Sequence, residues 1–459
     1  MPLHGILPVT VPGSVWGWDA VLKRFGTRTF KDVLQPAIDY AENGFPVSER
    51  IASDWKLPPA LPLRNCCSEL DPDSIKTWTI DGRPPKRGQI FKNPDLAHTM
   101  RLLQKDGARA FYQGEIAKAI VAKSTSLGGT MTLNDLASYH GEWTEPAVSH
   151  YHGVDIIELP PPSQAWAANE MLNILEECVP KWYPDQSLAS LGPTSPKYWH
   201  ALVEAKKLAY ADLYRYNADP NFTSIPLQRL LSTSYAESLC GRVDPNHAGT
   251  PGPKGPGDDK GDTIVLSTAD SDGNMVSWVN SNFDAFGSGL TVPGYGFILH
   301  DRGFLFSLNP ESGNAIAPHK RPYNTLSAGF VMKDKQPMMT VTLMGGDMQA
   351  QGHAQLLVDV LDLGANLQAA AEMARFRHNQ VPNELSLEEP LFKLIGPDLA
   401  AMGHTIRSVN GSVVGGVQAI MFTPDANPAD PNHVLDAKRA NGVYRSGSDP
   451  RKDGQAVGW

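Results

Sequence analysis

The chain has 459 residues, 41% of them hydrophobic and 19% charged, with 41 glycines, 38 prolines and a net charge of -9. That composition excludes a disordered or collagenous chain, and the acidic balance argues against a general binder of phosphate backbones, so no nucleic-acid partner is expected. The length suggests two or three lobes, or one large layered domain. The opening "MPLHGILPVTVPGSVWGW" has no charged region followed by an apolar run. No later stretch approaches the ~20 apolar residues of a membrane span, so a cytoplasmic protein without membrane contact is expected. "FKDVLQPAIDYAENG" has apolar residues at helical spacing and stops at Gly44, and "NPDLAHTMRLLQKDG" repeats that logic between a cap at Asn93 and a stop at Gly107. "MTLNDLASYH" reads as a short helix capped by Thr132. "QAWAANEMLNILEECV" follows as another, and "PKYWHALVEAKKLAYADLYRYNADP" is the longest amphipathic run, ended by Asp219 and Pro220. To about Leu159 the pattern is helices broken by Pro and Gly, and the N-terminal half is expected to be mainly helical. Cys66, Cys67, Cys178 and Cys240 form no zinc-ligand spacing and two are adjacent, which reads as reduced, structural cysteine.

From His247 to Asp262 the chain is rich in Pro, Gly, Asp and Lys and has no large apolar residue, as in an exposed loop or linker. Beyond it the pattern changes. "TIVLSTAD", "SDGN" and "MVSWVNSN" read as two strands joined by an Asp-Gly turn. "YGFILH", "SAGFVMK" and "MMTVTLMGG" look like further strands, followed by helical "AQLLVDVLDLG" and "LQAAAEMARF" and by "HTIRSVN" and "VQAIMFTP". Strands placed before helices imply an antiparallel α+β arrangement or an αββα sandwich rather than a doubly wound parallel sheet.

Thr263 is the first residue of a strand directly after the acidic loop. If the bond between Asp262 and Thr263 were broken, the threonine would gain a free α-amine with a pKa of about 8, and hydroxyl and base would share one residue. A threonine opening a strand is also simply a β-branched residue in a suitable place.

The wider pattern resembles the gamma-glutamyltranspeptidase family of self-cleaving N-terminal-nucleophile hydrolases. The resemblance is carried by "GDTIVLSTADSDGNMVSWVNS", "FGSGL", "GFILHDRG", "FSLNP", "PHKRPYNTLSAG", "LMGGDMQAQGH" and "MARFRH". Upstream it is carried by "VPGSVWGWDAVLKRFGT", "PAIDYAENGFPVS", "FYQGEIA" and "EAKKLAYADLYRYNADP". It implies an α+β, αββα four-layer sandwich. It also implies autocleavage between Asp262 and Thr263, giving a large subunit of residues 1–262 and a small subunit of residues 263–459 that begins with the nucleophile. The partners implied are a small-molecule amide substrate and the two self-cleaved subunits for each other. Precedents in the family are monomeric and heterotetrameric, the latter a dimer of heterodimers.

By the same resemblance Gly345 and Gly346 match paired glycines whose N–H groups form an oxyanion hole, although a Gly pair after "VTLM" also suits a strand-ending turn. Ser281 falls where the family has a hydroxyl that hydrogen-bonds the nucleophile. The substrate-binding positions depart from the pattern. Leu305, Phe283, and Asn324 with Thr325 stand where the family holds an acidic residue, an Asn and a Ser-Ser pair. Without the acidic residue a substrate ammonium would be unpaired, which costs several kcal/mol. Arg302 lies in the same segment, and a guanidinium grips a carboxylate through two parallel hydrogen bonds. "RPYNTLSAG", "MGGDMQAQGH" and "GSDPRKDGQAVGW" look like the branch that includes oxamate amidohydrolase, whose substrate is a carboxylate beside an amide.

No cofactor is expected. His353 and His378 have no second ligand at i+4 and no HExxH frame, so no metal is expected either. The family normally begins some tens of residues earlier, so a fragment or a late start, with a lost leader, is a further expectation. The leading reading is therefore a self-processed amidohydrolase for a small acidic amide. A γ-glutamyltransferase or glutathione hydrolase is the alternative, and an uncleaved inactive chain the second.

Overall fold

The computed structural model describes residues 1–62, 68–252, 255, 262–424 and 442–458. They divide into two compact units. The first comprises residues 1–144 and 281–306, and the second residues 145–280 and 307–459. This division by packing differs from a division at Asp262, because residues 145–262 pack with the second unit and residues 281–306 with the first.

The first unit is built from short helices. Pro94–Asp106 shows why they form where the sequence suggests. The Asn93 side chain accepts a hydrogen bond from the Leu96 N–H at 3.0 Å, and Gly107 closes the helix at φ +63°. Its inward residues, Ala97 and Leu103, join Ile38, Phe111, Ile116 and Ile120 in one apolar core. Leu290, Val292 and Leu299 of the 281–306 segment complete that core. "YGFILH" forms no strand. Its only pairing among the described residues is an isolated bridge between Thr291 and Ile298, because Leu299 and Val292 turn into the helical core instead of a sheet.

The second unit holds a six-stranded antiparallel sheet. In spatial order its strands are Gly442–Ser448, Gly416–Pro424, Gln336–Met344, Ala328–Lys333, Val154–Glu158 and Ala147–Tyr151. The last two lie in a region expected to be helical. They form a hairpin whose turn, His152 and Gly153, has φ of +48° and +77°, the backbone of a tight two-residue connection. The Gln336–Met344 strand presents different faces to different layers. Leu343 packs against Gly352 of the Met348–Leu361 helix, while the Thr340 hydroxyl donates to Ser267 Oγ at 2.8 Å. Ser267 belongs to the hairpin of Asp262–Ala269 and Met275–Phe283, which covers the sheet on the side away from the helix. The Trp166–Trp182 helix packs on Met348–Leu361, and Pro196–Tyr216 packs on Trp166–Trp182. The layering is therefore helix, sheet and hairpin in an α+β unit, as the strand and helix order implied.

Cys178 and Cys240 are joined in a disulfide across 62 residues, which corrects the expectation of reduced cysteine. Spacing could not reveal the pair. It forms because the buried end of the Trp166–Trp182 helix packs on the Cys240–Arg242 turn, bringing the Cα atoms within 5.0 Å. Cys66 and Cys67 lie outside the described residues, as do residues 253–254 and 256–261 of the polar segment before Thr263. Among the described residues no helix is long and apolar enough to cross a membrane.

Candidate active site

The strand Asp262–Ala269 alternates between its two faces. Thr263 points inward and is only 6% exposed, whereas Ile264 points outward at 69%. The Thr263 hydroxyl accepts a hydrogen bond from the side-chain amide of Gln349 at 3.2 Å. Gln349 is fixed from its other end, where its carbonyl oxygen accepts the Ser327 N–H at 2.8 Å. Both hydrogen-bonding ends of this buried side chain are thus used, and its position is determined.

Gln349 occupies the first turn of the Met348–Leu361 helix, which follows the central strand through Gly345, Gly346 and Asp347. Gly345 has φ +132° and Gly346 φ +62°, values that an L side chain adopts only with strain. At Gly345 a Cβ would also stand 3.1 Å from Gly415 Cα and from Met348 Cβ. The Gly345 and Gly346 carbonyls accept from the N–H groups of Met348 and Gln349, so these glycines open the helix. N–H groups at such an opening have no acceptor within the helix and lie at its positive end, where they can stabilise negative charge developing on an oxygen.

Gln164 joins this turn to the segment bearing Asn324 and Thr325. Its side-chain amide donates to the Thr325 carbonyl at 2.8 Å and to the Gly346 carbonyl at 2.7 Å, and its N–H donates to the Asn324 carbonyl at 3.0 Å. The Asp347 carboxylate is braced by the hydroxyls of Tyr323 at 3.0 Å and Tyr214 at 2.7 Å. Thr263, Gly345, Gly346, Asn324 and Thr325 are therefore held in one hydrogen-bonded neighbourhood of the second unit. Within it Asn324 turns its side-chain oxygen to the Leu326 N–H at 3.2 Å, a local turn. The buried Thr325 hydroxyl has no hydrogen-bond partner.

Ser281, Phe283 and Arg302 are brought together in the first unit. The Ser281 hydroxyl accepts the Phe283 N–H at 2.8 Å, and the Ser281 carbonyl accepts from Arg302 Nη2 at 3.2 Å. Phe283 is buried with φ +88° and stacks on Phe304 at 6.0 Å. Arg302 Nη1 is buried without a partner, and burial lowers this guanidinium to about 10, which still leaves it charged at neutral pH. Asp262 opens the strand that carries Thr263.

The family model for gamma-glutamyltranspeptidase matches residues 1–459, the whole chain. The chain belongs to the gamma-glutamyltranspeptidase family. It is accordingly an enzyme of the hydrolase and transferase class that works on amide bonds, with an N-terminal-nucleophile hydrolase fold. It is 33% identical to the glutathione hydrolase-like YwrD proenzyme of Bacillus subtilis, with 100% of this chain and 82% of that protein aligned. It is 29% identical to the oxamate amidohydrolase proenzyme of Klebsiella pneumoniae, over 98% of this chain and 81% of that one. Among solved structures, cephalosporin acylase from Bacillus halodurans superposes with a TM-score of 0.86 at 34% identity, covering 100% of this chain and 80% of its own.

Two residues of this gamma-glutamyltranspeptidase site were not singled out from the sequence, Gln164 and Gln349. Gln349 stands inside "LMGGDMQAQGH", and the signal for it was a polar amide two residues after the Gly-Gly-Asp turn, at the start of a helix. The histidines have other work. His353 Nδ1 and Glu158 Oε1 are 2.7 Å apart with both residues wholly buried, and His378 Nε2 pairs with the Asn383 side chain at 2.9 Å. Burial raises Glu158, and the neighbouring His353 opposes that rise.

Proposed function

We propose that the chain is a self-processing amidohydrolase that breaks its own Asp262–Thr263 bond and then uses Thr263 to cleave a small amide bearing a carboxylate. The observation that carries this reading is the buried Thr263 hydroxyl held by Gln349, one turn from the glycine pair that opens the same helix. On cleavage the Thr263 amine takes the hydroxyl proton as the oxygen attacks the amide carbonyl. The negative charge on the resulting tetrahedral centre meets N–H groups at the Gly345–Gly346 turn. The nitrogen leaves with the proton, and water releases the acid from the threonyl ester.

The substrate class rests on Arg302 and on relatives whose names include oxamate amidohydrolase and acylase. The free Nη1 is suited to a carboxylate, and Leu305 provides no acidic partner for an ammonium group. The proenzyme names of the relatives favour association of two cleaved subunits.

The test is a denaturing gel with N-terminal sequencing of the smaller band. The expected sequence is Thr-Ile-Val-Leu, with Thr263→Ala remaining one band. A parent protein that stays one band after prolonged incubation overturns the reading. Turnover of oxamate, glutaryl amides and glutathione then separates the substrate classes, and exclusive turnover of glutathione would transfer the assignment to γ-glutamyl donors.

A further inference from the structure

The loop that carries Asp284 and Asp301 meets the N-terminal segment in the first unit. The Gly5 N–H donates to the Ser288 carbonyl at 2.8 Å, and His4 Nδ1 lies 3.2 Å from the Gly287 carbonyl. A carbonyl can only accept, so Nδ1 carries a proton, and in the neutral imidazole Nε2 presents a lone pair. That Nε2 stands 3.7 Å from Asp284 Oδ2. His4, Asp284 and Asp301 each offer one ligand atom within 4.8 Å of the others.

Asp301 is the most buried of the three. Its side chain is wholly buried and its Oδ2 has no hydrogen-bond partner, while Oδ1 accepts the Asp284 N–H at 3.2 Å. The adjacent Arg302 eases the carboxylate by its charge but makes no hydrogen bond to Oδ2, because that guanidinium turns to the Ser281 carbonyl. A buried carboxylate oxygen without a donor is expensive, and native interiors satisfy such atoms or place them on metals.

We propose that His4, Asp284 and Asp301 form a binding site for a divalent transition metal, with zinc(II) the ion that suits the donors. One imidazole nitrogen and two carboxylates match zinc rather than magnesium or calcium, which take oxygen ligands in larger number. Two ligands each about 2.1 Å from a tetrahedral centre stand about 3.4 Å apart, so the His4–Asp284 separation needs little adjustment. The bond from His4 Nδ1 to the Gly287 carbonyl is the outer contact that fixes the tautomer of a metal-bound histidine. The fourth position would fall to water. The ion would staple the N-terminal segment to a loop some 280 residues later, immediately before Arg302. No local motif announces it, because the ligands come from opposite parts of the chain.

The full-length, tag-free protein, stripped with a chelator, is titrated with zinc(II) by calorimetry and with cobalt(II) by visible absorption. One equivalent should bind and raise the melting temperature. His4→Gln, near the N-terminus and partly exposed, and Asp301→Asn should each weaken binding by tenfold or more. His4→Gln guards against misfolding, since circular dichroism should match the parent. No binding overturns the proposal. So does binding that survives either substitution. Among the described residues the buried group His200, Glu204 and His404 is the other locus with suitable donors, but its Glu204 is engaged by Lys207 at 2.7 Å. Zinc lost only in Glu204→Gln would assign the ion there and overturn the present assignment.

Discussion

Gln349 donates to the Thr263 hydroxyl while accepting from the Ser327 N–H, so the proposed nucleophile and the Thr325–Ser327 segment are set by a single side chain. The helix that supplies Gln349 also fixes the glycine turn. A displacement of that helix would move the hydroxyl, the turn and the Thr325 carbonyl together.

Replacing Gln349 separates these roles. Gln349→Glu keeps an acceptor for Ser327 but loses the donor to Thr263, whereas Gln349→Met loses both. A lost hydrogen bond that leaves a buried group unsatisfied costs about 1–3 kcal/mol. Self-cleavage and kcat should therefore fall by roughly 5- to 150-fold in both variants. Both should lower the melting temperature, Gln349→Met through the orphaned Ser327 N–H and Gln349→Glu through a carboxyl group buried without a donor. Band densities over time, steady-state kinetics and thermal melts check this.

Arg302→Ala should raise KM for carboxylate-bearing amides by about 10- to 100-fold, the value of a hydrogen bond to a charged group. Arg302→Lys should recover only part of it, because an ammonium lacks the planar fork. Initial-rate kinetics with oxamate and its neutral methyl ester separate the two effects, and equal losses on both substrates would remove Arg302 from carboxylate binding.

Acid should weaken the fold before base does at the histidine pair of the second unit. His200 Nδ1 and His404 Nε2 are 2.8 Å apart, and burial lowers His404 to about 3 and lowers His200 as well. The unfolded imidazoles bind protons near pH 6.5, so the unfolded state takes up more protons below that value. This contribution to stability is therefore complete above pH 6.5 and is lost progressively as pH falls towards 3. His404→Gln, whose amide can still donate to His200, should flatten the slope of urea midpoint against pH between 6.5 and 4.

The Cys178–Cys240 bond should stabilise the second unit by about 2–4 kcal/mol, mainly by restricting the unfolded chain. Cys178→Ser with Cys240→Ser should lower the urea midpoint, and added reductant should then have no further effect on that variant. Counting free thiols in denaturant, with and without reductant, checks the pairing itself.

What could be read from the sequence followed its local rules. Asn93 and Gly107 bracket a helix because capping is decided within a few residues. The hairpin after Thr263 was equally local, since Asp270 receives the Asp272 and Asn274 N–H groups across its turn. The strands at Ala147–Tyr151 and Val154–Glu158 were less legible because Ser149 and Glu158 stand on the buried row and Val148 on the exposed one, which breaks the apolar alternation. The reverse held for "YGFILH", strand-like in composition but recruited into a helical core. At the site, Thr263 and the glycine pair were marked by residue type. Gln164 was not, since its importance comes from where the 324–325 segment passes it.

The pleat of the Asp262–Ala269 strand has one more consequence. Thr263, Val265 and Ser267 face inward more than Ile264 and Leu266, so in the proposed cleavage the strand acts as a parity check on where a mature subunit would start. A break one bond later would leave an isoleucine at the terminus on the outward row, with neither hydroxyl nor inward direction. A single residue inserted between Ile264 and Ser267, with the rest of the strand keeping its pairing, would turn Thr263 to the solvent. Such an insertion should abolish chemistry in a subunit that still folds, a defect of phase rather than of residue.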